Sequence, residues 1–216
     1  MENKTVIGKR RNAARKGARQ SYEVRRKQIG EAAIGVFHRL GYQGASLSAV
    51  ANELGVDRAT LYYYFSSKEQ MYDEIVRAVL LKNEQLADQI AQSAMPAGRK
   101  MRELITAFMA SYVENYPLLH IYVREDLRHV SGKRSDWSLE MLKVNRRIEN
   151  VFIRIIEDGY EDGSFRNIGP ARRVAYGILG MLNWSHRWFD PAKDSQPGEI
   201  GSTFAELVLG GLEAHY

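Results

Sequence analysis

Residues 46–70, SLSAVANELGVDRATLYYYFSSKEQ, decide the fold. Ser46 stands where a helix N-cap belongs, because a short hydroxyl side chain accepts from the free N–H groups of a first turn. Leu47, Val50, Ala51 and Leu54 follow at helical spacing. Gly55 is the permissive residue that ends this helix and turns the chain. Asp57 is placed to cap a second short helix anchored by Leu61 and Phe65. Ser67, with Gln70 three residues on, has the form of a capping box for a third helix. Two short helices that share a small core leave the second with an outer face of Arg58, Ala59, Thr60, Tyr62 and Tyr63. Such a face fits the major groove of DNA.

The string V-A-x-x-L-G-V-D-R-A-T-L-Y-Y-Y-F-S-S-K-E resembles the signature of the TetR family of bacterial transcriptional regulators. Val50, Ala51, Gly55, Val56, Leu61, Tyr62, Tyr64, Phe65, Lys68 and Glu69 stand at its positions. The preceding stretch from Ile29 to Gly41 also looks like that family's first helix. Ala45 departs from the pattern, since many members carry Ser or Thr there, but Ser46 remains available as the cap. The resemblance implies a homodimer that binds a double-stranded DNA operator and a small effector. Its helix from Arg58 to Tyr64 would enter the major groove. Arg58 is then the residue suited to pair with guanine, because a guanidinium forks onto two acceptors. Thr60 and Tyr62 would meet bases, and Ala59 must be small for the backbone to come close. Tyr63, Tyr64 and Lys68 would hold phosphates, as would Tyr22, Arg25 and Arg26 at the start of the first helix. Tyr62 and Tyr64 have an alternative reading as partly core residues.

Charge is distributed to match. Residues 1–68 carry 13 Lys/Arg against 5 Asp/Glu, whereas the remainder carries 18 against 21. A basic end on a mildly acidic body points to a polyanionic partner. Within the basic end, residues 1–21 hold seven Lys/Arg, a single acid and no clear apolar stripe. They read as a flexible arm, either on DNA or as a solubilising tail. The DNA-binding domain is expected at 22–67, with its first helix from Tyr22 to Leu40 and Ile29, Ala33, Val36, Phe37 and Leu40 facing inward.

Residues 68–216 read as further helices, punctuated by Met95-Pro96, Tyr116-Pro117, Ser131-Gly132, Asp162-Gly163 and Asp190-Pro191. The expected spans are 68–94, 97–115, 118–130, 135–159, 170–189 and 198–214. No alternating run argues for strands, so the chain is expected to be all-α, with a larger C-terminal effector-binding and dimerisation domain. VAYGILGMLNWSHRWF and TFAELVLGGLEA are apolar nearly all round, which suits helices buried on two sides. Val174, Gly177, Ile178, Met181, Phe204, Leu207, Val208 and Gly211 are the candidate dimer contacts. The alternative is a well-buried core pair.

For the effector, aromatic candidates are Tyr112, Tyr116, Tyr122, Trp137, Phe152, Trp184 and Trp188. Polar candidates are Arg124, Arg128, Asn183, His186 and Arg187. The mix suits an apolar ligand with an anionic end, although each also reads as ordinary core or surface. GMLNWSHRWFDP resembles the C-terminal region of TetR-type repressors of fatty-acid and steroid breakdown, which implies an acyl-CoA thioester. The rival is a pocket for assorted hydrophobic compounds.

Enzyme readings fail at the level of motif: no phosphate-binding glycine loop, zinc-protease helix or nucleophile elbow is present. Cysteine is absent, which removes thiolate chemistry and disulfides. The five histidines are scattered, so no metal site is expected; Glu125, Asp126 and His186 read as surface charges and a satisfied histidine. No apolar run approaches the roughly 18 residues of a membrane span. The expectation is a cytoplasmic repressor, the alternative being a ligand-binding or adaptor protein of the same fold without an operator.

Overall fold

The computed structural model describes residues 3–126 and 136–213, with side chains described over 16–124 and 139–213. Helices α1 (Asn3–Gly44), α2 (Leu47–Leu54), α3 (Arg58–Tyr64) and α4 (Lys68–Gln92) come first. They are followed by α5 (Ala97–Glu114), α6 (Leu118–Asp126), α7 (Asp136–Glu161), α8 (Ala171–Trp184) and α9 (Ile200–Leu212). The chain divides into two compact units, Met1–Ile75 and Val76–Tyr216. The fold is all-α, as expected, and no strand longer than the isolated Phe165–Glu213 bridge occurs among the described residues.

In the first unit the predicted apolar spacing becomes a core. Ile29, Ala33, Val36 and Phe37 of α1 bury against Leu47, Val50 and Ala51 of α2, Leu61 of α3, and Phe65. Leu40, expected inward, is 52% exposed. The helix is interrupted just beyond it, at Gly41 (φ 70°, ψ 163°), and a short helical turn continues to Gly44. The helix also begins at Asn3, where the sequence reading starts it near Tyr22. Residues 3–21 contain no proline and are rich in Ala, Lys and Arg, which extend a helix readily. The unit runs to Ile75, inside α4. Met71 and Tyr72 are buried, and the Tyr72 ring meets Phe37 edge-on at 5.6 Å.

The caps explain the short helices. The Ser46 hydroxyl accepts from Ala49 N–H at 3.2 Å, and Gly55 closes α2 in the left-handed conformation (φ 63°, ψ 34°). Asp57 has extended N-cap backbone but makes no side-chain cap bond. The box at α4 is half as expected: Ser67 accepts from Gln70 N–H at 3.1 Å, but the Gln70 carbonyl oxygen accepts from Ser66 N–H at 2.7 Å, one residue before the cap.

In the second unit α5 packs along α9, and α7 along α8. Gly201 permits the first contact: a Cβ there would stand 2.9 Å from Thr106 Cα. The α7–α8 connection is pinned to the end of α9, where Arg166 N–H donates to Leu212 O at 2.7 Å. Ion pairs run between α4 and α7: Arg77 with Glu140 at 2.7 Å, Glu84 with Arg147, and Asp88 with Arg154 at 3.9 Å. Helix α8 ends at Trp184, five residues before the expected Phe189. There Ser185 Oγ donates to Leu182 O at 2.7 Å and His186 Nδ1 meets Asn183 O at 2.6 Å, so side chains take over the terminal carbonyls and a 3-10 turn follows. No described helix is long and apolar enough to cross a membrane.

Candidate nucleic-acid interface and ligand cavity

Only Leu61 of α3 is fully buried, which leaves Arg58, Ala59, Tyr62 and Tyr63 exposed on its outer face. Tyr62 and Tyr63 are 46% and 72% exposed, unusual for residues of that size. Arg58 and Ala59 are exposed, and Thr60 is half-buried. The Arg58 guanidinium donates to Tyr62 Oη at 2.6 Å and lies over its ring at 5.2 Å. One turn of helix thus holds a cation and a phenol together on the outward face. Behind them Tyr22 of α1 stacks on Tyr64 at 4.9 Å and meets Tyr63 edge-on at 5.8 Å.

Two cations expected on phosphate are occupied inside the unit. Lys68 Nζ donates to the carbonyls of Tyr42 (3.0 Å), Gln43 (3.2 Å) and Ala45 (3.1 Å), and lies 4.9 Å from the Tyr42 ring centre. All three ammonium hydrogens are therefore spent on the chain that joins α1 to α2. Arg26 pairs with Glu74 and lies over the Phe65 ring at 4.7 Å. Arg25 donates to Gln28, its neighbour on the same helix, at 3.0 Å. Ser46 serves α2 as its cap. Close by, burial pushes the Asp73 carboxyl up to about 7, with Glu69 and Glu74 adding repulsion.

A cavity of about 400 Å³ opens within the second unit. Leu80, Phe108, Met109, Leu119, Ile148 and Leu182 supply much of its apolar wall. Its polar groups are Asn83, Tyr122, Asn145, Glu149, Tyr176 and Asn183. Of the expected effector contacts, Tyr122 and Asn183 line it. Phe152 lies one layer behind, edge-on to Phe108 at 5.8 Å and fully buried. Tyr112 and Tyr116 instead form a cluster with His120 and Phe189. Tyr112 Oη lies 3.2 Å from His120 Nδ1, and burial raises its phenol above the usual range. Trp184 and Trp188 are 59% and 60% exposed, with Arg187 over the Trp184 ring at 5.0 Å. Arg124 is exposed. Arg128 and the Trp137 side chain lie outside the described residues. Sequence reading missed Asn83, Phe108, Asn145 and Glu149, which come from α4, α5 and α7 and share no local pattern.

The exposed tryptophans belong to an apolar surface along α8 and α9. Leu207 is 64% exposed, and Gly177, Gly180, Gly210 and Gly211 face open space. Val174, Met181 and Val208 are half-buried. Ile178 and Phe204, named as dimer contacts, are 5% and 7% exposed and belong to the core of their own subunit. Their helical turns face α7 and α5, which leaves the opposite faces uncovered. No cluster of metal-ligating side chains occurs among the described residues.

Residues 94–212 match the family described as tetracyclin repressor-like, C-terminal domain, and residues 29–75 match bacterial regulatory proteins, tetR family. The HTH-type transcriptional repressor KstR2 of Rhodococcus jostii is 25% identical over 189 residues, covering 87% of this chain and 91% of the relative. The ketosteroid transcriptional regulator KstR2 of Mycobacterium tuberculosis superposes with a TM-score of 0.80 at 21% identity, over 88% of this chain and 96% of that one. AibR, solved with isovaleryl coenzyme A and operator DNA, has a TM-score of 0.73 at 18% identity, over 87% and 99%.

Proposed function

The chain belongs to the TetR family of bacterial regulatory proteins, and on that footing we propose that it is a cytoplasmic repressor released from a palindromic operator by a small hydrophobic effector. It is a DNA-binding transcriptional regulator and not an enzyme. The observation that carries the DNA assignment is the outward face of α3, where Arg58, Tyr62 and Tyr63 are exposed around a single buried anchor. Arg58 reads a base edge, and its bond to Tyr62 fixes the guanidinium before contact, which lowers the entropy lost on binding. Tyr63 and Arg25 hold phosphates. Lys68 and Arg26 act on the DNA only through the shape of the head they hold together. The seven Lys and Arg of residues 1–21 raise the positive charge of the DNA-binding end.

Two copies joined through the exposed faces of α8 and α9 present two α3 helices to half-sites about 34–36 Å apart or a multiple of that. The cavity houses the effector. An effector shifts the balance between dimer shapes only by its differential affinity for them, typically ~1–3 kcal/mol. An acyl-CoA thioester is the effector class supported by AibR, whose structure holds isovaleryl coenzyme A, and by the apolar wall of this cavity.

The test begins with a random-pool selection to recover the operator. Arg58→Ala should then weaken binding by ~1–3 kcal/mol and relax preference at one position of each half-site. Retention of both affinity and preference would reject the base contact. Recovery of no preferred sequence would favour a ligand-binding protein without an operator.

A further inference from the structure

We propose that Glu149 makes the cavity selective against anions, so that its ligand meets this wall with an uncharged or positively charged hydrogen-bond donor and never with a free carboxylate. This rests on the reading that the cavity houses the effector. It also replaces the anionic ligand end inferred from residue types alone.

Among the described lining residues Glu149 is the one formal charge, and no Lys, Arg or His accompanies it. Its carboxylate stands on the open side of the cavity, where Tyr176 is 47% exposed, and accepts from the Tyr176 hydroxyl at a long 3.4 Å, leaving acceptor sites to water or to a ligand that displaces it. The Arg172 guanidinium stands 5.9 Å from the Tyr176 ring centre but is not part of the lining. Arg147, on the same helix as Glu149, is engaged by Glu84.

The neighbouring polar groups extend the pattern. Asn145 Nδ2 donates to Tyr122 Oη at 2.9 Å, and Asn83 Oδ1 accepts from Ser111 Oγ at 2.7 Å. Amide nitrogens and phenols with such partners solvate neutral polar groups well. They do not supply the full positive charge that a buried carboxylate needs to offset its lost hydration. With Glu149 nearby, an entering carboxylate would add like-charge repulsion to that cost. An amide N–H, a hydroxyl or an ammonium instead gains a charge-assisted bond. A fatty acyl group therefore suits this site once its carboxyl is converted to a thioester or amide, and the amide groups of a pantetheine arm are donors of the required kind.

Three ten-carbon probes isolate the chemistry: decanoate, decanamide and decylamine, each titrated calorimetrically into the full-length protein. Decanamide and decylamine should bind more tightly than decanoate by on the order of tenfold or more. Glu149→Gln should narrow the gap between decanamide and decanoate and weaken decylamine. Equal binding of decanoate and decanamide by the unmodified protein would overturn the inference and leave the effector reading standing. Failure of all three to bind would overturn both. The ranking in the unmodified protein decides the matter even if the variant folds poorly.

Discussion

Lys68 separates two kinds of contribution to DNA binding, and replacing it with methionine tells them apart. Methionine keeps the length of the stem and removes the ammonium. The structure then loses three bonds, at 3.0, 3.2 and 3.1 Å, to the carbonyls of Tyr42, Gln43 and Ala45. A hydrogen bond to a charged group contributes about 1.5–3 kcal/mol net when sheltered. Three bonds from one nitrogen are not additive, and the Gln43 bond is exposed, so water replaces part of what is lost. Losing the contact to the Tyr42 ring costs about 0.5 kcal/mol more. The expected total is about 2 kcal/mol, or roughly 4–8 °C in melting temperature for a chain of this size. Thermal unfolding by circular dichroism measures it. The companion assay is operator binding as a function of salt at a temperature where both proteins are folded. Because Lys68 points into the α1–α2 joint, the slope of log affinity against log salt should not change. A lysine on phosphate predicts the reverse: little change in stability and a slope shallower by about 0.9. That second pattern would refute the assignment.

Three further outcomes follow from the geometry. Asp73 titrates near 7 in the folded chain against 3.8 unperturbed, so its neutral form is favoured on folding. That stability is fully present below 3.8 and is lost as pH rises through about 7. Asp73→Asn should therefore remove this dependence and stabilise the protein at pH 8 by ~1–2 kcal/mol, after discounting the linkage value for partial solvent screening; denaturant titrations at pH 5 and 8 that shift in parallel would contradict it. Gly201→Ala places a Cβ 2.9 Å from Thr106 Cα and 3.3 Å from Met109 Cβ, and should cost ~1–3 kcal/mol in urea unfolding. A change within about 0.5 kcal/mol would show that α5 and α9 separate easily. Leu207→Glu puts a charge on the most exposed apolar side chain of α9 and should raise the dimer dissociation constant at least about tenfold in sedimentation; unchanged association would move the interface elsewhere.

The first unit was readable because its determinants are local. Ser46 and Gly55 act on their own helix, and Ile29, Ala33, Val36 and Phe37 announce a face by spacing alone. The roles of Lys68 and Arg26 were not readable, because a lysine bound to carbonyls 23–26 residues away and an arginine paired with a glutamate 48 residues away look like any surface cations in one dimension. The cavity was harder still. Phe108, Asn145 and Glu149 become neighbours only when α5 and α7 are placed side by side. Aromatic content drew attention to Trp184 and Trp188, which the fold turns outward, away from the cavity.

The polarity of the ion pairs between α4 and α7 has a mechanical meaning. Along α4 the signs read plus, minus, minus; along α7 they read minus, plus, plus. Shifting one helix by a rung in one direction sets Glu84 against Glu140, and in the other direction Arg77 against Arg147. Each rung is weak by itself, a few tenths of a kcal/mol at an exposed site. A slipped register sets one repulsive pair against one attractive pair, Asp88 with Arg147 or Glu84 with Arg154, where the native register has three attractive ones. The pattern therefore favours the native register of α4 on α7 over an axial slip.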